Sequence, residues 1–135
     1  MTVRRVVTGV GPDGKSRVAS DSPVAPLTAQ ALPGYSWHRL WSIDGACTVP
    51  NDGAPAPLAE HFPPTHGVRF DIFTVPPAGA KPEPGQIWLE LDDGHEVHLQ
   101  AGDTIVQNGV RHAWRNHSDR PCTMVIFLVG AARQN

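Results

Sequence analysis

GDTIVQNGVRHAWRN, residues Gly102 to Asn116, reads as two short strands joined by a tight turn, and it decides the fold class. Asn108-Gly109 is the strongest short hairpin signal, because both residue types tolerate the positive φ that a two-residue loop requires. Thr104 to Gln107 is therefore predicted as one strand. A second strand carries His112, Trp114 and Asn116 on one face, since side chains alternate along a strand. An imidazole, an indole and an amide on one face form a wall for a small-molecule pocket.

Working outward, QIWLELDDGHEVHL, Gln86 to Leu99, is the clearest β-hairpin in the chain. Ile87, Leu89 and Leu91 share one face, Trp88 and Glu90 the other, and Asp93-Gly94 supplies the turn. His95 and His98 fall on opposite faces of the return strand, so the two cannot grip one ion with ordinary strand geometry. If the Trp88 face points inward, Glu90 meets His112. Val68 to Val75 alternates as well, with Val68, Phe70, Ile72 and Thr74 on one face and Arg69, Asp71, Phe73 and Val75 on a second, partly buried one. Pro76-Pro77 ends that strand. PCTMVIFLVG, Pro121 to Gly130, is nearly continuous in apolar residues and is expected to be buried on both faces, with Cys122 and Met124 as core fillers.

The remaining segments are short strands and loops. Val6-Val7 and Arg17-Val18-Ala19 flank Gly11-Pro12-Asp13-Gly14, the pattern of an edge hairpin. Tyr35, Trp37 and Trp41 gather around His38 in a strand that presents its rings to the core or to a partner subunit. Residues 44–58 are too rich in Pro, Gly and Asp for anything except a surface loop. A chain of 135 residues with 14 Pro and 13 Gly, and no long run of helix formers, is expected to be a single all-β domain. Its subdivisions are N-terminal strands within 1–30, a loop-rich segment over 44–66 and the main body of strands over 68–130.

A net charge of −2 without a basic block argues against nucleic acid or an anionic membrane as partner. No apolar run approaches the ~18 residues of a membrane span, and no signal peptide is evident, so a cytoplasmic location is expected. Cys47 and Cys122 form no CxxC pair, and a lone disulfide between them stays open.

Gly102, Gly109, His112 and Asn116 resemble the second conserved motif of the cupins. There a Gly opens a strand, a Gly turns it, a His follows after two residues and an Asn after three more. The usual Pro before the turn is absent here, and the interval between the glycines is one residue shorter. The opening of the chain also resembles a subgroup of small cupins: a basic pair, two β-branched residues, Thr8-Gly9 and then Gly14-Lys15. That subgroup includes oxidoreductases encoded beside fungal polyketide synthases and many uncharacterised bacterial proteins. The resemblance implies a double-stranded β-helix, or jelly-roll barrel, over 68–130, and chemistry on aromatic or polyketide-derived small molecules.

In the cupins a first motif supplies two His at alternate positions and a Glu between bounding glycines, and with the later His these hold a divalent metal. Gly79 and Gly85 mark the two ends here, but only AKPEP lies between them. Both histidines are missing, Glu83 sits between two prolines, and the barrel is expected to be shortened by about one strand. His61 and His66, beside prolines, are expected to be solvated. Only His112 then remains as a candidate ligand, against the three or more that metal sites usually take.

The expected function is a metal-free, cofactor-free enzyme that isomerises, decarboxylates or cyclises an aromatic or polyketide-like compound. His112 serves as general acid or base, since imidazole ordinarily titrates near neutrality. Glu90 or Gln107 orients the substrate, and Trp88, Trp114 and Phe70 supply apolar walls. Two alternatives stand beside this reading. One is a metal-dependent oxygenase or decarboxylase using Fe, Mn, Ni or Zn, with His112 as a ligand. The other is a non-catalytic barrel that binds a ligand or supports a dimer. A homodimer is expected, because loss of a strand leaves an edge that a second subunit can cover.

Overall fold

The structure is a computed structural model that describes residues 2–27, 33–55, 57, 60–79 and 86–132. Its strands are β1 (Val3–Val10), β2 (Ser16–Val24), β3 (Ser36–Ile43), β4 (Val68–Val75), β5 (Ile87–Glu90), β6 (Glu96–Leu99), β7 (Ala113–Arg115) and β8 (Cys122–Val129). They form three sheets, β1-β2, β3-β4-β8 and β6-β5-β7, and among the described residues none of them closes into a barrel. The described residues contain no α-helix, and no helix long and apolar enough to cross a membrane. The chain divides into two compact units, residues 1–27 with 37–72 and 125–135, and residues 28–36 with 73–124. The shortened Gly79–Gly85 interval, with Glu83, lies outside the described residues apart from Gly79.

In the first unit the N-terminal strands are longer than the two short runs of β-branched residues suggest. β1 and β2 pair antiparallel from Val3 opposite Val24 to Val10 opposite Ser16, with a bulge between Val7 and Thr8. Residues 51–53 of the following loop-rich segment run beside this hairpin, and the Val10 amide donates to Asn51 O at 2.7 Å. Gly9 permits that approach: a side chain there would set its first carbon 2.1 Å from Asp52 O.

β3 and β4 are tied together by charge. Arg39 and Asp71 are 4% and 1% exposed, and the Arg39 guanidinium grips the Asp71 carboxylate with Nε on one oxygen and Nη2 on the other. Arg39 Nη2 also donates to His61 O at 2.8 Å. Arg69, 1% exposed, pairs with the Asp44 carboxylate and donates to Val68 O at 3.0 Å, Glu60 O at 3.3 Å and Phe62 O at 3.4 Å. A guanidinium carries five donors in a fixed fork, so two of them are able to hold the 60–62 loop by its carbonyls. The buried side of β4 is therefore the side bearing Arg69 and Asp71, and Val68, Phe70, Ile72 and Thr74 lie on the more exposed one.

The C-terminal strand departs from expectation. Cys122 is buried, but Val125, Phe127 and Val129 are 70%, 65% and 62% exposed. β8 stands at the end of its sheet and has one covered face, so its continuous apolar run does not mark burial on both sides. Both cysteines are free thiols, and burial pushes the Cys122 thiol up, in keeping with an inert core position.

In the second unit β5 is the central strand, with β6 and β7 antiparallel on its two edges. Ile87 and Leu89 are buried, and the Asp93-Gly94 turn forms with positive φ at both residues, 58° and 71°. Thr104 to Gln107 is not a strand. A strand exists only when paired, and these residues pair with neither outer strand of the sheet; Val106 is 85% exposed. The second strand of the predicted pair shrinks to Ala113–Arg115. Asn116 ends it as a buried bracket rather than a pocket wall. Its Nδ2 donates to Val75 O at 3.2 Å and Arg120 O at 2.7 Å, while Oδ1 accepts from Ser118 N at 3.1 Å and Ser118 Oγ at 2.6 Å.

The Arg39–Asp71 pair generates a stability test. Arg39→Ala or Asp71→Ala strands a buried charge and is expected to cost about 3–5 kcal/mol, whereas Arg39→Met with Asp71→Leu together recovers most of the loss. Urea unfolding of the three variants checks it through the order of their midpoints.

Candidate functional site

The second unit holds the candidate site, built on the strand pairing around β5. Trp88 lies opposite His98 on β6 and Arg115 on β7, while Glu90 lies opposite Glu96 and Ala113. One face of this sheet thus carries Trp88, Glu90, Glu96, His98 and Arg115. The opposite face carries Ile87, Leu89 and Trp114, because Leu89 and Trp114 are paired. Beyond the end of β5, the Asp92–Gly94 turn faces the residues that lead into β7. Between them lies an open groove of about 250 Å³ lined by Glu90, Asp92, Asp93, Arg111, His112 and Arg115.

His112 stands at this groove as an exposed ring. Its Nδ1 lies 2.9 Å from Val110 O, and its ring meets Trp114 edge-on at 5.9 Å. A carbonyl only accepts, so the bond requires the proton on Nδ1. In the neutral ring Nε2 is then the bare, basic nitrogen. Among the described residues nothing bonds to it.

Glu90 is locked to Arg115 through a charge-assisted bond from Nε. That bond holds the Glu90 carboxyl below the usual carboxylate range and raises Arg115 in turn. At neutral pH Glu90 is thus a fixed anion rather than a carrier of protons. Arg111 approaches Asp92 at 3.7 Å, with both side chains largely exposed, and such a contact is weak. Of the two guanidiniums, Arg111 is the one more readily drawn to an incoming anion.

The other predicted site residues are dispersed. Trp88 is stacked flat on His98 at 4.4 Å and meets His117 at 4.9 Å, so its ring is already occupied. His98 Nε2 reaches Gln86 Oε1 at 2.7 Å, and His117 Nε2 reaches Glu96 Oε1 at 3.2 Å. Trp88 and Trp114 lie on opposite faces of one sheet and do not form two walls of one pocket. Gln107 is half-buried with no partner for its amide nitrogen among the described residues, and it does not line the groove. Phe70 belongs to the other unit, on the exposed side of β4. The structure brings together His112 and Glu90, and adds Arg111, Arg115 and Asp92. The two arginines flank His112 at a spacing of four, a signal available in the sequence but hidden from a search for metal-ligating residue types.

The divalent metal that the cupin resemblance implies finds no fit here. Among the described residues no three His, Cys, Asp or Glu side chains are placed to hold an ion. Glu90 and Asp92, two of the carboxylates lining the groove, face arginines, and two guanidiniums in the groove repel a cation.

No protein-family model matches the chain. A stretch of 49 residues, 36% of this chain, is 39% identical to Phomopsin biosynthesis cluster protein C' of Diaporthe leptostromiformis, and the same figures hold for Phomopsin biosynthesis cluster protein D of that organism. The matched stretch spans 26% of each of those proteins, so the chain covers about a quarter of the curated relatives it resembles.

The Glu90–Arg115 pair predicts a pH signature. Because Glu90 titrates lower in the folded chain than in the unfolded one, the pair favours folding above the ordinary carboxylate value near ~4.3. That contribution is lost as pH falls through the lower folded value. Arg115→Met is expected to return the Glu90 carboxyl carbon titration, followed by NMR, to the ordinary range. A midpoint unmoved by the substitution contradicts the pairing.

Proposed function

We propose that this chain is a small-molecule enzyme of the cupin type, a jelly-roll barrel shortened by about one strand, in which His112 moves a proton on an aromatic or polyketide-like compound. The observation that carries this reading is the bond from His112 Nδ1 to Val110 O. It orients the ring and leaves Nε2 basic, the arrangement a general base requires. The groove is slightly smaller than the ~300 Å³ at which sites for drug-sized ligands begin, so a compound of one or two rings suits it. The names of the two relatives place those proteins in a biosynthesis cluster, a setting in which small organic substrates are ordinary.

The chemistry follows from the groups present. Nε2 takes a proton from a carbon next to a substrate carbonyl, and the electron pair moves onto the carbonyl oxygen. Arg111 stabilises the enolate so formed, and where a C=C bond is conjugated with that enolate the imidazolium returns the proton to its far carbon, so that the double bond moves. The result is an isomerisation with no net change in atoms or electrons. Decarboxylation of a β-keto acid reaches such an enolate by cleavage of the C–C bond, with carbon dioxide as the departing group, and a proton from the protonated imidazole completes the product. Glu90 stays ionised beside Arg115 and fixes that side chain while Arg111 turns to the substrate.

The openness of the groove favours a second reading, binding without turnover, since an exposed imidazole does little to exclude water. A panel of aromatic and β-keto carboxylates, screened by thermal shift and then by substrate hydrogen–deuterium exchange in D₂O, separates the two. Exchange that falls at least 100-fold in His112→Gln, with binding kept, supports the enzyme. Binding without exchange in either protein supports the non-catalytic reading. Stoichiometric Fe, Mn, Ni or Zn in purified protein, lost in His112→Ala, defeats both in favour of the metal-dependent one.

A further inference from the structure

Two ion pairs line the groove beside His112, and they hold their arginines unequally. Glu90 accepts a charge-assisted bond from Arg115 Nε, so Arg115 stays with Glu90. Arg111 Nε lies 3.7 Å from Asp92 Oδ1, beyond hydrogen-bond reach, with the two side chains 89% and 69% exposed. Among the described residues no hydrogen bond uses any of the five donors of Arg111. Asp92 is as lightly held. Its turn closes through backbone alone, with Leu91 N donating to His95 O at 2.8 Å and His95 N to Asp92 O at 3.2 Å.

We infer, resting on the reading of this groove as the ligand site but not on turnover, that Asp92 is an internal competitor for Arg111 and that the ligand is a small carboxylate which takes its place. The acceptor type is already present in Asp92. Its single long contact leaves the guanidinium fork unfilled, whereas a free carboxylate, unconstrained by the turn, offers two oxygens that match the fork. Arg111 and the exposed His112 ring line the same groove, so one compound reaches both. Only Leu91 and Ala113 among the lining residues carry apolar side chains, and an uncharged hydrocarbon therefore gains little there.

The competitor has a consequence for selectivity. Displaced from Arg111, the exposed Asp92 carboxylate passes into water, so opening the pair costs little but not nothing. Every anion meets that same cost. Weakly held ions then stay unbound at concentrations where an acid with a ring to place against His112 still binds, and neutral compounds are unaffected. Donors of Arg111 left over from the carboxylate remain for an enolate oxygen of the same compound.

Benzoate and its uncharged analogue benzamide test the assignment, titrated at low ionic strength and followed by the backbone amide signals of 90–94 and 111–115. Asp92, Asp93 and Arg111 are all exposed, so their variants keep the fold. Asp92→Asn is expected to tighten benzoate ~2- to 5-fold, the factor an exposed pair of this kind is worth, and to leave benzamide unchanged. Arg111→Gln is expected to weaken benzoate at least ~10-fold, and in that background the gain from Asp92→Asn is expected to vanish. Asp93→Asn removes the same charge from the groove lining without releasing Arg111, and asparagine tolerates the 58° φ there; the smaller gain is expected from it. Benzoate that does not bind at millimolar concentration, benzoate bound no better than benzamide, an affinity unmoved by Asp92→Asn, or an equal gain from Asp93→Asn overturns the inference. Hydrogen–deuterium exchange of an uncharged ketone beside any of these results leaves the proton-transfer reading standing. The expected binding pattern without exchange of any acid upholds the competitor and sinks that reading instead.

Discussion

Burial of the Arg39–Asp71 pair with Arg69 is the constraint from which much of the first unit follows. Three charged side chains on two neighbouring strands, none more than 4% exposed, are expensive to remove from water. They persist because nearly every donor finds an acceptor. Asp71 takes the fork of Arg39, Asp44 takes Arg69, and the carbonyls of residues 60–62 accept what remains. The loop over 60–62 has little regular backbone pairing of its own, so its path is set by side chains reaching out from strands. Such a network adds little net stability over an apolar core, but it makes alternative registers costly, because a one-residue slip would expose Phe73 and strand both charges of β4 on the wrong side.

That same alternation explains what was legible in the sequence and what was not. The bounds of β4 agree with the predicted run, because strict alternation lies between Gly67 and Pro76-Pro77, two natural stops. The β5–β6 hairpin is legible for similar reasons, with Asp93-Gly94 adopting the positive φ that its composition invites. Polarity misleads as to which side of β4 is buried. Val68, Phe70 and Ile72 on one side, against Arg69 and Asp71 beside Phe73 and Val75 on the other, argue for burying the former, yet it is the side with the paired charges and Phe73 and Val75 that is buried. β8 illustrates the converse error, in which continuous apolar character is taken for two covered faces when the face bearing Val125, Phe127 and Val129 lies open.

Thr104 to Gln107 shows a limit of another kind. Its composition favours a strand and Asn108-Gly109 favours a turn, but neighbours decide whether a strand exists, and no described strand pairs with it. Local propensity was present without a partner to satisfy its backbone. Without that pairing, the predicted hairpin gives way to an irregular approach to β7, and His112 arrives just before that strand instead of within it. The imidazole is consequently exposed, and a backbone carbonyl two residues away fixes its orientation.

This placement changes which groups are able to do chemistry. Within a strand, His112 would project with Trp114 onto the face opposite Glu90, since Trp114 pairs with Leu89 and Ala113 with Glu90. Just outside the strand, the ring is free of that alternation and reaches the groove that Glu90 lines. Glu90 in turn has surrendered its proton-carrying role to the bond with Arg115, which leaves one group with a basic nitrogen and one guanidinium loosely held. On the proposed reading, acid–base chemistry at this site rests on a single imidazole assisted by a cation. Proton transfer from carbon requires both, since the base removes the proton and the cation receives the charge left behind. Glu90, held by Arg115, is not available as one of a pair of proton-transferring carboxylates.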